Sequence, residues 1–490
     1  MSEKRLLAAV DLGSNSFHLA VMQEDNGRLL VVDKVREMVQ LAFGLDDDKN
    51  LDPDVCARAL ECLSRFGERI KGVPKDSLRI VGTNTLRNLK NSQYFLSEAQ
   101  KCLGAPIDVI SGREEARLIY LGVSQNIEST ENELLVMDIG GGSTEFIVGK
   151  GTSVRFAESL EMGCVHFSKL FFADGINKGQ IKKAKLQAEY EIQPYIWRLA
   201  GNFRQITGAS GSIKTILSLL LREEFETDLI TLEGMEKLLA KMLDLKNPKA
   251  IAKYFDLEAE RAQVITGGLV ILMQAFESLG FESMKVADTG MREGIVLDLL
   301  GRNDTEDMRD RTISSLLVRF AADESHAKRV AGTSLILADL VKDSWNIGAK
   351  PIRFLNWAAH LHEIGLAVSH SQYHRHGAYL VANADLDGLS QQDQQIIAAI
   401  IRHHRRKIHL EAYEYLPCFT LSLTILLRLS VILHRSRADG PPGIIKISAA
   451  NAHLKLIFKE GWLENRKLLV ADLKNEARYL EQVDFDLSWE

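Results

Sequence analysis

The sequence predicts an α/β fold over its first three hundred residues, followed by an all-α module and a small β-containing cap. Three observations predict it. Two glycine-and-hydroxyl turns, Asp11-Leu-Gly-Ser-Asn-Ser16 and Asp138-Ile-Gly-Gly-Gly-Ser-Thr-Glu145, each follow a short apolar run that reads as a buried strand. Strand-like and helix-like segments alternate through the first half. After a polar, charged stretch at 301–311 the apolar period becomes helical and stays so to about residue 437.

The elements follow in order. Residues 6–10 form the first strand and lead into the Asp11 turn; residues 29–35, 79–82 and 107–110 read as further strands, and 114–123 as a helix. A turn-rich stretch beyond that helix divides a first domain, 1–125, from a second, 126–305, which opens on strand 134–137 and the second turn. Gly208-Ala-Ser-Gly-Ser-Ile-Lys214 and Val286-Ala-Asp-Thr-Gly-Met-Arg-Glu-Gly294 again follow apolar residues and open onto helix-like runs. Residues 306–440 make the helical domain. In 441–490, Ile445-Lys-Ile-Ser448 and His453-Leu-Lys-Leu-Ile-Phe458 alternate apolar and polar residues, as a half-buried sheet does.

A chain of 490 residues is too long for one core and has ample apolar content for several. Its net charge of −6, from 60 basic and 66 acidic side chains, gives no field that would gather nucleic acid; any polyanion must be held by local basic groups or by metal. Cys56, Cys62, Cys102, Cys164 and Cys418 are scattered without a CxxC pair, which points to reduced thiols filling cores. The first strand begins within a few residues of Met1, and no uninterrupted apolar stretch reads as membrane-spanning. The expected location is the cytoplasm, with peripheral membrane attachment left open.

The two turns carry the chemistry. Glycines let backbone amides approach anionic oxygens, hydroxyls add donors, and an Asp at a strand end can hold a cation directly or through water. A plain hairpin turn uses the same residue types, but the recurrence of Asp, Gly and Ser in both turns favours phosphate. The pairing resembles the actin, sugar-kinase and heat-shock ATPase superfold, whose two ribonuclease-H-like halves close on phosphates. In Ser111-Gly-Arg-Glu-Glu115 the S-x-x-E spacing gives Glu114 a capping job. Glu115 points about 100° away around the helix and is a candidate general base, the alternative being a solvated acid at a helix N-terminus. Cys164 and His166 lack a third orienting group and do not read as a nucleophile pair.

Asp11-Leu-Gly-Ser-Asn-Ser-Phe-His18, Val81-Gly-Thr-Asn-Thr-Leu-Arg87, Ser111-Gly-Arg-Glu-Glu-Ala-Arg117, the Asp138–Glu145 turn, Met162-Gly-Cys164, Gly208-Ala-Ser-Gly211 and Arg292-Glu-Gly294 together resemble the exopolyphosphatase / guanosine pentaphosphate phosphohydrolase family, in order and over nearly the whole chain. The resemblance implies that Glu115 is the catalytic base and that Arg87 holds a phosphate. It implies that Asp138, Glu145 and Asp11 serve Mg²⁺. Ser14, Asn15, Ser16, Gly140, Gly141, Gly142, Ser143, Gly208 and Ser210 would then cradle phosphates. In-line phosphoryl transfer asks for a positioned water, a cation and donors for equatorial oxygens, which this set provides.

In the helical domain, His326-Ala-Lys-Arg-Val330, His360-Leu-His-Glu-Ile-Gly365, His374-Arg-His-Gly-Ala-Tyr379 and Arg402-His-His-Arg-Arg-Lys407 resemble the motifs of HD-type metal phosphohydrolases. His362-Glu363 stands where that family has His-Asp, and Ser430-Val431 where it has a late Asp, so a degenerate module retained for binding is expected. His374, Arg375, His376, Arg402, Arg405, Arg406 and Lys407 read as a strip for a polyphosphate tail. The expected activity is release of orthophosphate from inorganic polyphosphate, by water activated at Glu115 with Mg²⁺; the alternative is conversion of guanosine pentaphosphate to tetraphosphate. A kinase or ATPase on the same superfold would need a nucleotide-base pocket in the second half, where this chain has Val286–Gly294 with bulky charged side chains, and a non-catalytic sensor would not need Glu115, Asp138 and Glu145 together. A homodimer is expected.

Overall fold

The computed structural model describes residues 5–25, 28–46, 48–90, 92–125, 127, 133–199, 203, 205–225, 228–301, 307–437, 443–450 and 452–490, and the chain divides into two compact units, Met1–Thr305 and Glu306–Glu490.

Two sheets of one wiring make the first unit. β1 (Arg5–Leu12), β2 (Phe17–Asp25) and β3 (Arg28–Glu37) form an antiparallel meander, and β4 (Leu78–Gly82) and β5 (Asp108–Val109) add in parallel beyond β1. In the second sheet β6 (Leu134–Ile139), β7 (Thr144–Lys150) and β8 (Ser153–Leu160) repeat the meander. β9 (Gln205–Gly208), β10 (Ile230–Thr231) and β11 (Ser283–Val286) complete it, β9 and β11 parallel to β6 and β10 antiparallel on the edge. The repeat sets the two glycine turns at equivalent points, the β1–β2 and β6–β7 connections, so they are hairpin turns and equivalent loops at once. β2 was not anticipated, because its alternation fades into Gln23-Glu-Asp25.

Alternation along β1 sends Ala8, Val10 and Leu12 into one core with Phe66 and Phe95, and Leu7 and Ala9 into another with Leu118 and Ile295. β6 divides likewise: Leu135 and Met137 share a core with Ile265 and Leu269, while Leu134 and Val136 meet Ala116 and Tyr120. The helix Gly112–Ser124 therefore serves both sheets, and Glu115 rides on it. It lies close against the helix Met291–Gly301: a Cβ at Gly122 would collide with the Gly290 carbonyl, and one at Gly294 with that of Leu118.

A buried ion network ties these elements. Asp298 takes Arg79 Nη1 at 2.6 Å and also Arg117, and Glu114 takes Arg117 Nε at 2.7 Å and Arg79 Nη2 at 3.4 Å. Glu114 is fully buried and its carboxyl is held below the usual range, the Arg117 and Arg79 charges outweighing the opposing cost of burial. Ser111 Oγ caps the helix by accepting from the Glu114 amide at 3.2 Å, as the spacing predicts, but the Glu114 carboxylate, expected to return to the N-cap amide, is engaged by Arg117 and Arg79 instead.

Helices alone make up residues 307–437 of the second unit as far as they are described, from Met308–Arg319 to Phe419–Leu433. The sheet of β12 (Ile444–Ala450), β13 (His453–Phe458) and β14 (Asp486–Trp489) shares their core, Leu454, Leu456 and Leu487 joining Leu337 and Leu423. All five cysteines are free. Cys62 and Cys164 are buried, but Cys418 is exposed and fills no core. Contrary to the sequence expectation, the helix Ala259–Leu279 is long and apolar enough to span a bilayer by length and composition; 78% of its apolar window is buried inside the first unit.

At the start of the second unit, burial raises the Asp307 carboxyl, but the Arg309 guanidinium and amide and the Arg353 guanidinium bring it down to about 2. A depressed carboxyl contributes stability above its unfolded value, near 4, that is lost as pH falls toward 2. Asp307→Asn should therefore remove about 2 kcal/mol at neutral pH and flatten the acid limb of unfolding between pH 4 and 2, read by circular dichroism.

Candidate active site

The two turns meet across a cleft of about 420 Å³. Ser14, Asn15 and Ser16 line it from the first, Gly140, Gly141 and Ser143 from the second, with Ser210 at the N-cap of the helix Gly211–Arg222. A Cβ on Gly141 would stand 2.9 Å from Ser14 Cβ and 3.3 Å from the Asn15 amide, so glycine lets the loops approach. Two expected cradle residues do not line the cleft. Gly142 abuts the Asn84 side chain, and Gly208 packs against Ile213 and Met284, where a larger residue would not fit.

Asp11, Asp138 and Glu115 look into the same space. Burial pushes the Asp11 carboxyl up to about 7, with Glu115 and Asp138 adding repulsion and Arg292 opposing; Asp138 is likewise raised to about 7 by burial and by Glu115. Asp11 Oδ1 is buried without a hydrogen-bond partner. Glu145, opposite Asp138 across β6 and β7, is not among the residues lining the cleft; it accepts from Ser159 Oγ at 2.7 Å and is raised well above the usual range by burial and by the neighbouring carboxylates. Carboxylates that share one cleft, one of them with an orphaned oxygen, suit a hard divalent cation.

Arg87 does not line the cleft. Its Nη1 donates to Glu115 Oε2 at 2.8 Å and to the Ile110 carbonyl at 2.9 Å, so it orients the candidate base in place of touching a phosphate.

Most of the cleft's positive charge comes from residues that sequence reasoning left unassigned: Lys34 and Arg36 on β3, Lys214, Arg261 and Arg292. His18, opposite Asp11 across β1 and β2, lies among them. Its imidazole is held well below the ordinary value by burial and by Arg292, Arg36, Arg261 and Lys34, and it bonds Ser16 Oγ at 2.8 Å. Lys214 and Arg292 stand inside the glycine-rich motifs, and Arg261, a buried arginine at the start of a helix with a long apolar middle, was itself a signal. Cys164 also lines the cleft, but burial pushes its thiol up, away from the reactive thiolate.

In the second unit a cleft of about 620 Å³ gathers six of the seven basic strip residues, His374, Arg375, Arg402, Arg405, Arg406 and Lys407; His376 stands outside it. His374 is pushed down to about 4 by burial and by the surrounding arginines, so it contributes a neutral ring, not charge.

The fold defines a protein of the actin-like class, two repeats of one sheet wiring whose glycine turns share a cleft. Residues 20–303 match the Ppx/GppA phosphatase family and residues 308–477 match Ppx/GppA phosphatase, domain III. The chain belongs to the Ppx/GppA phosphatase family and is a hydrolase acting on phosphoric anhydride bonds. A guanosine-5'-triphosphate,3'-diphosphate pyrophosphatase of Aeromonas hydrophila is 35% identical over 97% of each chain, and one of Pseudoalteromonas translucida is 34% identical over 99% of this chain and 98% of its own. The crystal structure of the Aquifex aeolicus family member superposes with a TM-score of 0.53 at 26% identity, covering 62% of this chain and 100% of that one. An exopolyphosphatase from Cytophaga hutchinsonii shares the fold at TM-score 0.56 and 21% identity, covering 60% and 98%.

These relatives overturn the expectation of an exopolyphosphatase: the full-length similarity is to pentaphosphate enzymes. The basic strip misled because cationic side chains attract any polyphosphorylated anion and do not distinguish a polymer from a nucleotide.

Proposed function

We propose that the enzyme removes the terminal 5'-phosphate of guanosine pentaphosphate, releasing guanosine tetraphosphate and orthophosphate. The full-length similarity to guanosine-5'-triphosphate,3'-diphosphate pyrophosphatases carries this reading. The cleft supports it, because carboxylates and five cations line one space of about 420 Å³.

Asp11 and Asp138 would hold Mg²⁺ with Glu145 opposite Asp138 on β7, and the cation would offset charge on the transferring phosphoryl group. The chain's own residues do the rest. Glu115, oriented by Arg87, accepts a proton from the attacking water as its oxygen bonds to the terminal phosphorus and the bridging P–O bond breaks toward the tetraphosphate. Amides and hydroxyls of the two turns hold the equatorial oxygens. Arg292 and Lys214 bind the remaining phosphates.

Product analysis tests the reading: one orthophosphate per guanosine tetraphosphate is expected, and loss of the 3'-diphosphate instead would overturn it. Arg292→Ala should raise KM for guanosine pentaphosphate about 10–100-fold with a smaller change in kcat, as expected for a lost charged hydrogen bond to bound substrate. Steady-state kinetics separates the two constants.

A further inference from the structure

The histidines at the centre of the second unit are not part of its basic strip. His326 is 3% exposed, His362 is fully buried and His404 is 2% exposed, and their rings run in contact, His326 to His362 at 5.6 Å and His362 to His404 at 5.4 Å between centroids. Such rings would ordinarily satisfy both nitrogens. Here they do not. His362 Nδ1 donates to the Ala359 carbonyl at 2.7 Å and His404 Nδ1 to that of Ile401 at 2.7 Å, leaving both Nε2 atoms buried without a partner; His326 Nδ1 is partnerless as well. Glu363 stands beside them, and one donor atom from each of His326, His362 and Glu363 lies within 4.8 Å of the other two.

From this geometry we propose that the second unit holds a single first-row divalent transition-metal ion on His326, His362 and Glu363, with zinc the ion best suited. Two imidazole nitrogens and one carboxylate oxygen are a donor set that zinc takes. An Nδ1–H fixed on a backbone carbonyl is the outer contact that aims Nε2 of a ligating histidine. His404 presents the same arrangement next to His362 and is placed to serve as a further ligand or to orient one. Arg437 donates to both Glu363 oxygens at 2.7 and 2.8 Å, yet each oxygen keeps a second lone pair. Ser430, where a metal-binding carboxylate would complete an HD-type site, donates its hydroxyl to the Leu426 carbonyl at 2.8 Å and takes no part. The site is thus a three-donor one, with a position left for water or an anion. Hard Mg²⁺ prefers all-oxygen donors, such as the carboxylates lining the first unit's cleft, to this mixed set.

The test uses the full chain without a histidine tag, stripped with chelator, loaded with Zn²⁺ or Co²⁺ and freed of excess ion before metal analysis. One ion per chain resistant to excess Mg²⁺ is expected, with visible cobalt absorption showing imidazole ligation. His362→Gln and Glu363→Gln should each weaken Zn²⁺ binding by about tenfold or more. Asp138→Asn should leave it unchanged. Glu363 is partly exposed, so its variant carries the test if His362→Gln does not fold by circular dichroism. No uptake by the parent chain, equal uptake by both second-unit variants, or loss of uptake in Asp138→Asn alone would overturn the proposal. None of these outcomes bears on guanosine pentaphosphate hydrolysis, which is measured separately.

Discussion

Glu115→Gln is expected to lower kcat by about 10²–10⁴-fold with little change in KM. The amide keeps the size of the side chain and a hydrogen-bonding oxygen, but it cannot take a proton from water. Arg87, which donates to Glu115 at 2.8 Å, retains its second contact with the Ile110 carbonyl, so the local fold should survive. The measurement is pre-steady-state and steady-state phosphate release by parent and variant, with circular dichroism to confirm folding. A kcat within a few-fold of the parent would move the proton-accepting role to another group.

The second large effect is on stability. Asp298 is the shared carboxylate of Arg79 and Arg117, both nearly inaccessible to solvent. Asp298→Ala takes from two buried guanidinium groups the carboxylate they share, leaving Glu114 and the peripheral Asp108 as their carboxylate partners among the described residues, and should cost about 3–5 kcal/mol. Removal of an exposed partner gives the contrast: Arg155 and Glu133 pair at 52% and 40% side-chain exposure, and Glu133→Ala should change stability by less than about 1 kcal/mol. Thermal and urea unfolding of the two variants, side by side, checks both numbers. Because the network anchors the helix that carries Glu115 to the one that carries Arg292, Asp298→Ala should also lose activity below its melting transition.

How much of this was legible in the sequence depends on whether a property is local. The two glycine turns, the order of α/β, helical and terminal β segments, and the strand before each turn follow from short-range patterns, and the structure has them. The angle between Glu114 and Glu115 on the helix separated their roles but left Glu115 facing either cleft or solvent, and the structure puts it in the cleft lining. The assignments that failed depend on tertiary neighbours. Arg87 was read as a phosphate ligand from the family resemblance, but which atom a guanidinium reaches is set by where the Gly112–Ser124 helix packs. Gly142 and Gly208 were read as cradle glycines, and only the Asn84, Ile213 and Met284 side chains around them show a steric reason for glycine. Lys34 and Arg36 alternate on β3 like any solvated strand face, and nothing local says that this face meets His18. Substrate preference was the least legible of all, since charge recognises phosphate without recognising what bears it.

The central claim is the substrate. It is tested most directly by initial rates of orthophosphate release, with Mg²⁺, from guanosine pentaphosphate and from inorganic polyphosphate at equal concentrations of terminal phosphate, beside Glu115→Gln. A higher kcat/KM for the nucleotide, lost in the variant, is the predicted result; a higher kcat/KM for the polymer would contradict it.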